Sequence, residues 1–397
     1  MAYRPLSYLC AIAVLASSAF PQLVAQSDNF DDKNDVGWSR YTPLSAFGAG
    51  ATYSYPEGGY AIIAPGSPAP DALGPQRAGS LLAGKILPRV RVQVEIGRWN
   101  DQINQAFGLL TRVQNVGLGT TEGYSFNYNT RSGFHQLTVI QNEAPLRQVS
   151  ESPFRLSPAA RYTMVFTAAE GILLGQVFSS TNATTPIHSV VGRDETHQTG
   201  LAGVFAFSLD PLTGVNAWFD NYSYSVPEKL RATFLDASPA AGESPTNSIP
   251  SVQVRLAHLE TKILLPSVHL EIDGAQVPFT ADDTQTVLFL EYTPSSPLSA
   301  SSTHKAKVSF DDADGTQSFE WSFGPPQPAQ STPPSLQTAS TVNGPFTVEP
   351  AAQIDTSVGS ITLPRVGPQR FFRIVDTSPR TILSAVVSDI AVTIRYR

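Results

Sequence analysis

Between Val90 and Ile96 aliphatic and polar residues alternate without a break. Val90, Val92, Val94 and Ile96 fall on one side of an extended chain, and Arg91, Gln93 and Glu95 on the other. This pattern predicts an antiparallel strand with one buried face. Strand-length runs of the same kind recur from residue 28 to 226, separated by glycine, proline and asparagine clusters. Residues 124–128 and 135–139 flank a turn-forming segment at 130–133 and are expected to pair as a hairpin. Residues 162–167, 171–178 and 203–208 continue the series. Together they predict a two-sheet sandwich spanning residues 27–226.

The pattern then changes. Residues 227–250 are rich in Ala, Ser, Pro and Gly and are expected to form a linker, with one strand at 231–235. A second β unit is expected over 251–324. Its clearest signal is the run 268–272, then Asp273-Gly274, then 275–279, because Asp-Gly supplies the positive φ angles of a two-residue hairpin turn. Further strands are expected at 287–292, 305–310 and 317–323, with Asp314-Gly315 as a second turn. That is the rhythm of an immunoglobulin-like sandwich. Five prolines fall within residues 324–334, so 325–335 is expected to be an extended connector. Residues 336–397 hold four candidate strands and little apolar content, a small C-terminal β module. The expected fold class is all-β throughout.

Composition narrows the function. The 397 residues carry a formal charge of −7 without a basic run, which argues against a nucleic-acid partner. Arg4 followed by an apolar stretch from Leu9 to Leu15, with small residues at Ser17, Ser18, Ala19 and Ala25, predicts an export signal over residues 1–26. No stretch reaches the roughly 20 apolar residues that a spanning helix needs, so the mature chain is expected to be secreted or surface-attached and not membrane-spanning. The only cysteine, Cys10, lies in the export segment, which leaves the remainder without a disulfide or a thiolate.

Several stretches carry a resemblance. Asn29-Phe30-Asp31-Asp32, Val36-Gly37-Trp38-Ser39-Arg40-Tyr41, Gln105-Ala106-Phe107-Gly108-Leu109-Leu110 and Trp218-Phe219-Asp220-Asn221-Tyr222 resemble the concanavalin A-like (laminin G-like) jelly rolls of secreted bacterial proteins. Thr303-His304, followed by Val308-Ser309-Phe310 and Phe319-Glu320-Trp321-Ser322-Phe323, resembles bacterial Ig-like repeats. Asn343-Gly344-Pro345-Phe346, with Gly367-Pro368-Gln369-Arg370-Phe371-Phe372-Arg373-Ile374, is similar to a short C-terminal module appended to such proteins. The resemblance implies a jelly roll, an Ig-like sandwich and a terminal module in that order. It specifies fold more than function, because jelly rolls host glycan-binding modules, glycosidases and adhesins alike.

Catalysis is not expected. Laminarinase-like jelly rolls place two glutamates on one strand face with the spacing Glu-x-Asp-x-x-Glu. The nearest approach here, Glu271-Ile272-Asp273, has Gln276 in the place of the second glutamate and crosses a predicted tight turn. The six histidines include no close pair suited to zinc. Asp28 and Asp31 at the start of the first sandwich, with Asp220 in its last strand, could hold a structural Ca²⁺ or simply form a solvated acidic edge.

For glycan binding, the expected platform is Trp99 with Asn100, Asp101 and Gln102, a ring and three polar groups in a loop after the best strand. Tyr124, Phe126 and Tyr128 share one strand face beside Arg112 or Arg131, and either fill the core or add to that surface. The expectation is a non-catalytic protein that binds a polysaccharide or cell-surface glycan. The alternatives are a structural or adhesion protein contacting other envelope proteins, and a laminarinase-like glycosidase.

Overall fold

The computed structural model describes residues 24–84, 86–180, 182–325, 335–340, 345–355, 360–364, 371–375, 382–388 and 391–396. Most of the predicted export segment, with Cys10, lies outside them, as do residues 326–334 of the proline-rich connector. The chain divides into two units at Gly324.

The first unit opens with fifteen strands: β1 Val24–Asp28, β2 Trp38–Tyr41, β3 Thr52–Ser54, β4 Tyr60–Ala64, β5 Arg77–Leu82, β6 Val90–Ile96, β7 Gln105–Gln114, β8 Glu122–Asn129, β9 Phe134–Gln141, β10 Ala144–Pro153, β11 Tyr162–Ala169, β12 Ile172–Ser179, β13 His188–Arg193, β14 Leu201–Ser208 and β15 Val215–Ser225. One helical turn, α1 at Pro70–Leu73, precedes β5. The strands form two antiparallel sheets. One runs β13-β12-β11-β6-β15-β4-β3, with β1 also on β15, and the other runs β10-β9-β8-β7-β14-β5-β2. Packed face to face they make a jelly-roll sandwich. Alternation decides which side chains enter it: β6 buries its four aliphatics and leaves Arg91, Gln93 and Glu95 half-buried.

The predicted hairpin forms as β8 and β9, with Asn129 opposite Phe134. Tyr124, Phe126 and Tyr128 are fully buried and fill the core, which settles the choice left open by the sequence. A two-residue turn at Asn142 and Glu143 joins β9 to β10, with φ of 53° and 62°. Both residues take the left-handed region that such a turn demands.

A second sandwich follows: β16 Thr233–Ser238, β17 Val252–Ala257, β18 His269–Ile272, β19 Ala275–Val277, β20 Thr280–Asp283, β21 Val287–Tyr292, β22 His304–Asp312 and β23 Gly315–Phe323. Its sheets run β16-β17-β21-β20 and β19-β18-β22-β23. Asp273 and Gly274 form the turn between β18 and β19 with φ of 52° and 80°. Phe234, Val254, Leu270, Leu290, Val308 and Trp321 are among its core residues.

Residues 227–250 differ from a simple linker. They supply β16, which pairs with β17 and buries Phe234 in the second core. Leu235, the next residue, points the other way and is also fully buried, against Ile172, Leu174 and Val191 of the first sandwich, together with Ala257 and Leu259. Polar contacts ring this apolar patch. Arg89 meets Glu260 at 2.7 Å and Glu170 at 3.0 Å, Arg193 donates to Leu259 O at 3.1 Å, and Ser189 N donates to Asp236 at 3.1 Å. The two sandwiches therefore share a packed seam.

β1 starts at Val24, inside the segment 1–26 expected to be an export signal, and pairs with β15 from Val24 opposite Ser225 to Asp28 opposite Tyr222. The second unit builds two small sheets from strands including Ser335–Ala339, Ser360–Pro364 and Ala391–Tyr396 around Leu336, Ile361, Leu363, Val392 and Ile394. Among the described residues no helix is long and apolar enough to cross a membrane.

Candidate functional site

The loop expected to present Trp99 does follow β6, but the ring turns inward. Trp99 is 3% exposed and packs 5.4 Å from the Phe107 ring and 5.7 Å from Tyr128. Its Nε1 donates to Asp101 at 3.2 Å, and Asn100 accepts from Gln102 N at 2.9 Å, so the polar residues of this loop brace the buried indole. A large ring at the end of a sheet gains more from closing the core than from standing in water.

Tyr128 is in the core beside it, bonded to the backbone of Leu156. Arg112 is buried as well. The bulge in β7 puts it at φ 51° and swings its guanidinium inward to donate to Pro88 O at 2.6 Å and His197 O at 3.0 Å, and burial lowers its pKa. Arg131, the remaining expected ligand-binding side chain, is turned to solvent at the end of the β8–β9 hairpin. It is exposed and donates to Leu209 O at 3.0 Å.

The three aspartates expected at a calcium site have other partners. Asp28 accepts from Trp38 Nε1 at 2.8 Å and Phe30 N at 2.9 Å, and Asp31 accepts from Asn29 at 2.6 Å. Asp220 accepts from Asn221 N at 2.7 Å, and burial pushes its carboxyl up, with Glu95 opposite it on β6 adding repulsion. Among the described residues no set of three or more His, Cys, Asp or Glu side chains is arranged to hold a metal. Glu271 and Gln276 face each other across the β18–β19 hairpin, a cross-strand pair in the second sandwich.

A site missed by the sequence reading lies on the outer face of the seven-stranded sheet, a groove of about 850 Å³. Because Tyr124, Phe126 and Tyr128 point into the core, their neighbours Ser125, Asn127 and Asn129 must point out, and they line this groove. By the same alternation β9 contributes Gln136, Thr138 and Ile140. Leu110 on β7 and Phe205 and Phe207 on β14 supply an apolar side, the two phenyl rings stacked 5.9 Å apart.

The polar side is a hydrogen-bonded row. Ser125 Oγ donates to Asn127 Oδ1 at 3.4 Å, Asn127 Nδ2 to Gln136 Oε1 at 3.2 Å, and Gln136 Nε2 to Glu151 at 2.9 Å. Each amide keeps hydrogen-bonding capacity beyond these contacts.

The charged side chains lining the groove are already engaged. Glu122 accepts from Asn115 at 3.1 Å, Arg147 pairs with Asp194, and Arg77 pairs with Glu143, Nε to Oε1 at 3.2 Å. A strip that is apolar on one side and lined with neutral amides on the other can stack on C–H faces while exchanging hydrogen bonds with hydroxyls.

No protein-family model matches the sequence, and no curated protein matches it. Among solved structures the chain is similar to the carbohydrate binding module CBM66 from Bacillus subtilis, at 13% identity over 48% of this chain and 97% of the other, with a TM-score of 0.36. It is also similar to a Bacillus licheniformis β-glucanase, at 10% identity over 51% and 98% with a TM-score of 0.35. A basic winged bean lectin aligns at 10% identity over 51% and 98% with a TM-score of 0.34.

Proposed function

We propose that the chain is an exported, non-catalytic protein that binds a polysaccharide or cell-surface glycan in the groove of its first sandwich. One observation carries this reading: the Ser125, Asn127 and Gln136 row lies beside Leu110, Phe205 and Phe207 in one groove. The non-catalytic part is supported by the engagement of the groove's carboxylates, Glu122 by Asn115 and Glu143 by Arg77. Export is supported by Arg4 and the apolar run behind it. The second sandwich holds the first along their seam, and the terminal module is left to space or attach the assembly.

Affinity electrophoresis of the full chain through gels cast with β-glucan, xylan, mannan, pectin or alginate tests the proposal. Retardation is expected in at least one gel, weakened by Asn127→Ala and by Phe207→Ala, with no reducing sugar released. Equal mobility in every gel, or release of reducing ends, would count against it.

A further inference from the structure

The groove carries its own cover. In the sheet order β10-β9-β8-β7-β14-β5-β2, three strands separate β9 from β5. In a flat sheet their axes would lie about 19 Å apart. Yet Glu143, on the turn after β9, forms its ion pair with Arg77 at the start of β5. Thr121, just before β8, makes a second crossing by donating to the hydroxyl of Tyr41 on β2 at 3.3 Å. The right-handed twist of the strands coils a large sheet and brings diagonal corners toward each other across the face between them.

The crossing is braced on both banks. Gly119 N donates to Glu143, and Glu143 N donates to Thr121 O at 2.8 Å, which ties the β7–β8 loop to the β9–β10 turn. Opposite them, Arg77 donates to Leu73 O at 2.6 Å and Pro75 O at 2.9 Å, holding α1 and the chain behind it. The bar and the polar row line the same groove, and with the bar in place Ser125 is 3% exposed and Asn127 2%.

We propose that the Arg77–Glu143 pair is a latch over the glycan site, and that the groove takes an uncharged glycan chain when the latch opens. The inference rests on the carbohydrate reading above and adds its gating and ligand class. An uncharged ligand follows from the lining: among the described lining residues Arg147 stays paired with Asp194, and opening the latch frees Arg77 and Glu143 together, a cation and an anion side by side that give no net attraction to a uronate or sulfate. A latch follows from the floor: hydrogen-bonding amides that are covered before any ligand arrives need a route to it. Two short segments, 115–121 and 142–148, are the part that can lift, because only side-chain contacts hold them to the far bank.

The full chain is compared with Glu143→Gln, which keeps an acceptor for Gly119, and with Tyr41→Phe, which removes only the second crossing. Hydrogen–deuterium exchange of 115–121 and 142–148 without ligand is expected to quicken about tenfold in Glu143→Gln and less in Tyr41→Phe. Association with soluble β-glucan or xylan is expected to speed up severalfold in the same order, and neither pectin nor alginate is expected to bind the wild type, in which Arg77 keeps its carboxylate. Unchanged exchange in Glu143→Gln overturns the latch, and preferential binding of the acidic chains by the wild type overturns the ligand class. If exchange quickens while no glycan binds either protein, the latch stands and the carbohydrate reading fails. If an uncharged glycan binds wild type and variant at the same rate, the latch fails and that reading stands.

Discussion

Replacing Leu235 by alanine tests whether the two sandwiches are one cooperative body. Leu235 lies on β16 but faces away from its own core, fully buried against Ile172, Leu174 and Val191. The substitution removes three carbons, about 2.4 kcal/mol at about 0.8 kcal/mol for each buried methylene. The cavity left between two rigid sheets raises the cost to about 3–4 kcal/mol. Spread over one cooperative unit of about 300 residues, at about 2.1 cal/mol/K for each residue, that corresponds to a fall in melting temperature of about 5–6 °C. Scanning calorimetry measures the size, and near-ultraviolet circular dichroism in a Trp321→Phe background follows the first sandwich alone through Trp38, Trp99 and Trp218. If the seam couples them, the melting of the first sandwich shifts together with that of the second. A first-sandwich transition that stays put while the second moves, or a loss below about 1 kcal/mol, would refute the reasoning.

Other outcomes follow from buried groups. His188 is pushed down to about 4 by burial and by Arg255, and His135 beside it is held well below its ordinary value by burial and by His188. The unfolded chain therefore binds more protons between pH about 6.5 and 4, so this stability is complete above about 6.5 and lost as pH falls. For His188 it amounts to roughly 3 kcal/mol, partly offset by Asp236, whose carboxyl burial pushes up. Urea midpoints from pH 7.5 to 4 should fall, and His188→Phe, which keeps the stack on Phe154, should flatten the slope. Trp99→Ala should cost about 3–5 kcal/mol in urea denaturation without changing which glycan gel retards the folded protein. Arg112→Met should destabilise by about 1–3 kcal/mol, because the carbonyls of Pro88 and His197 lose their donors, again read from urea midpoints. Calcium or a chelator should leave the melting temperature unchanged, since the carboxylates of Asp28, Asp31 and Asp220 are not gathered into a ligand set.

The fold was legible wherever alternation was strict. Val90–Ile96 and the β8–β9 hairpin place their own side chains, since one buried face fixes the other. The groove was legible by the same rule, had it been applied to the polar members: Ser125, Asn127 and Gln136 sit between aromatic and aliphatic residues that enter the core. Trp99 misled because a ring in a loop has no alternation to fix its direction, and Phe107 and Tyr128 offered it a closer partner than solvent. Arg112 turned inward at a bulge, which local sequence does not announce. The seam was hidden because Leu235 is apolar on the outward face of its own sandwich, and only a neighbour remote in sequence explains it. The Arg77–Glu143 crossing depends on the coil of the whole sheet, a property of no single segment.

The docking of β1 along β15 also sets how the molecule responds to force. Val24 lies opposite Ser225, so the N-terminal end of the first sandwich and its exit toward the second are neighbours at one end of a single ladder. A load pulling these two points apart would part the ladder rung by rung instead of straining its hydrogen bonds in parallel. Under tension this strand should peel away first, at low force, while the aromatic core it borders is still intact.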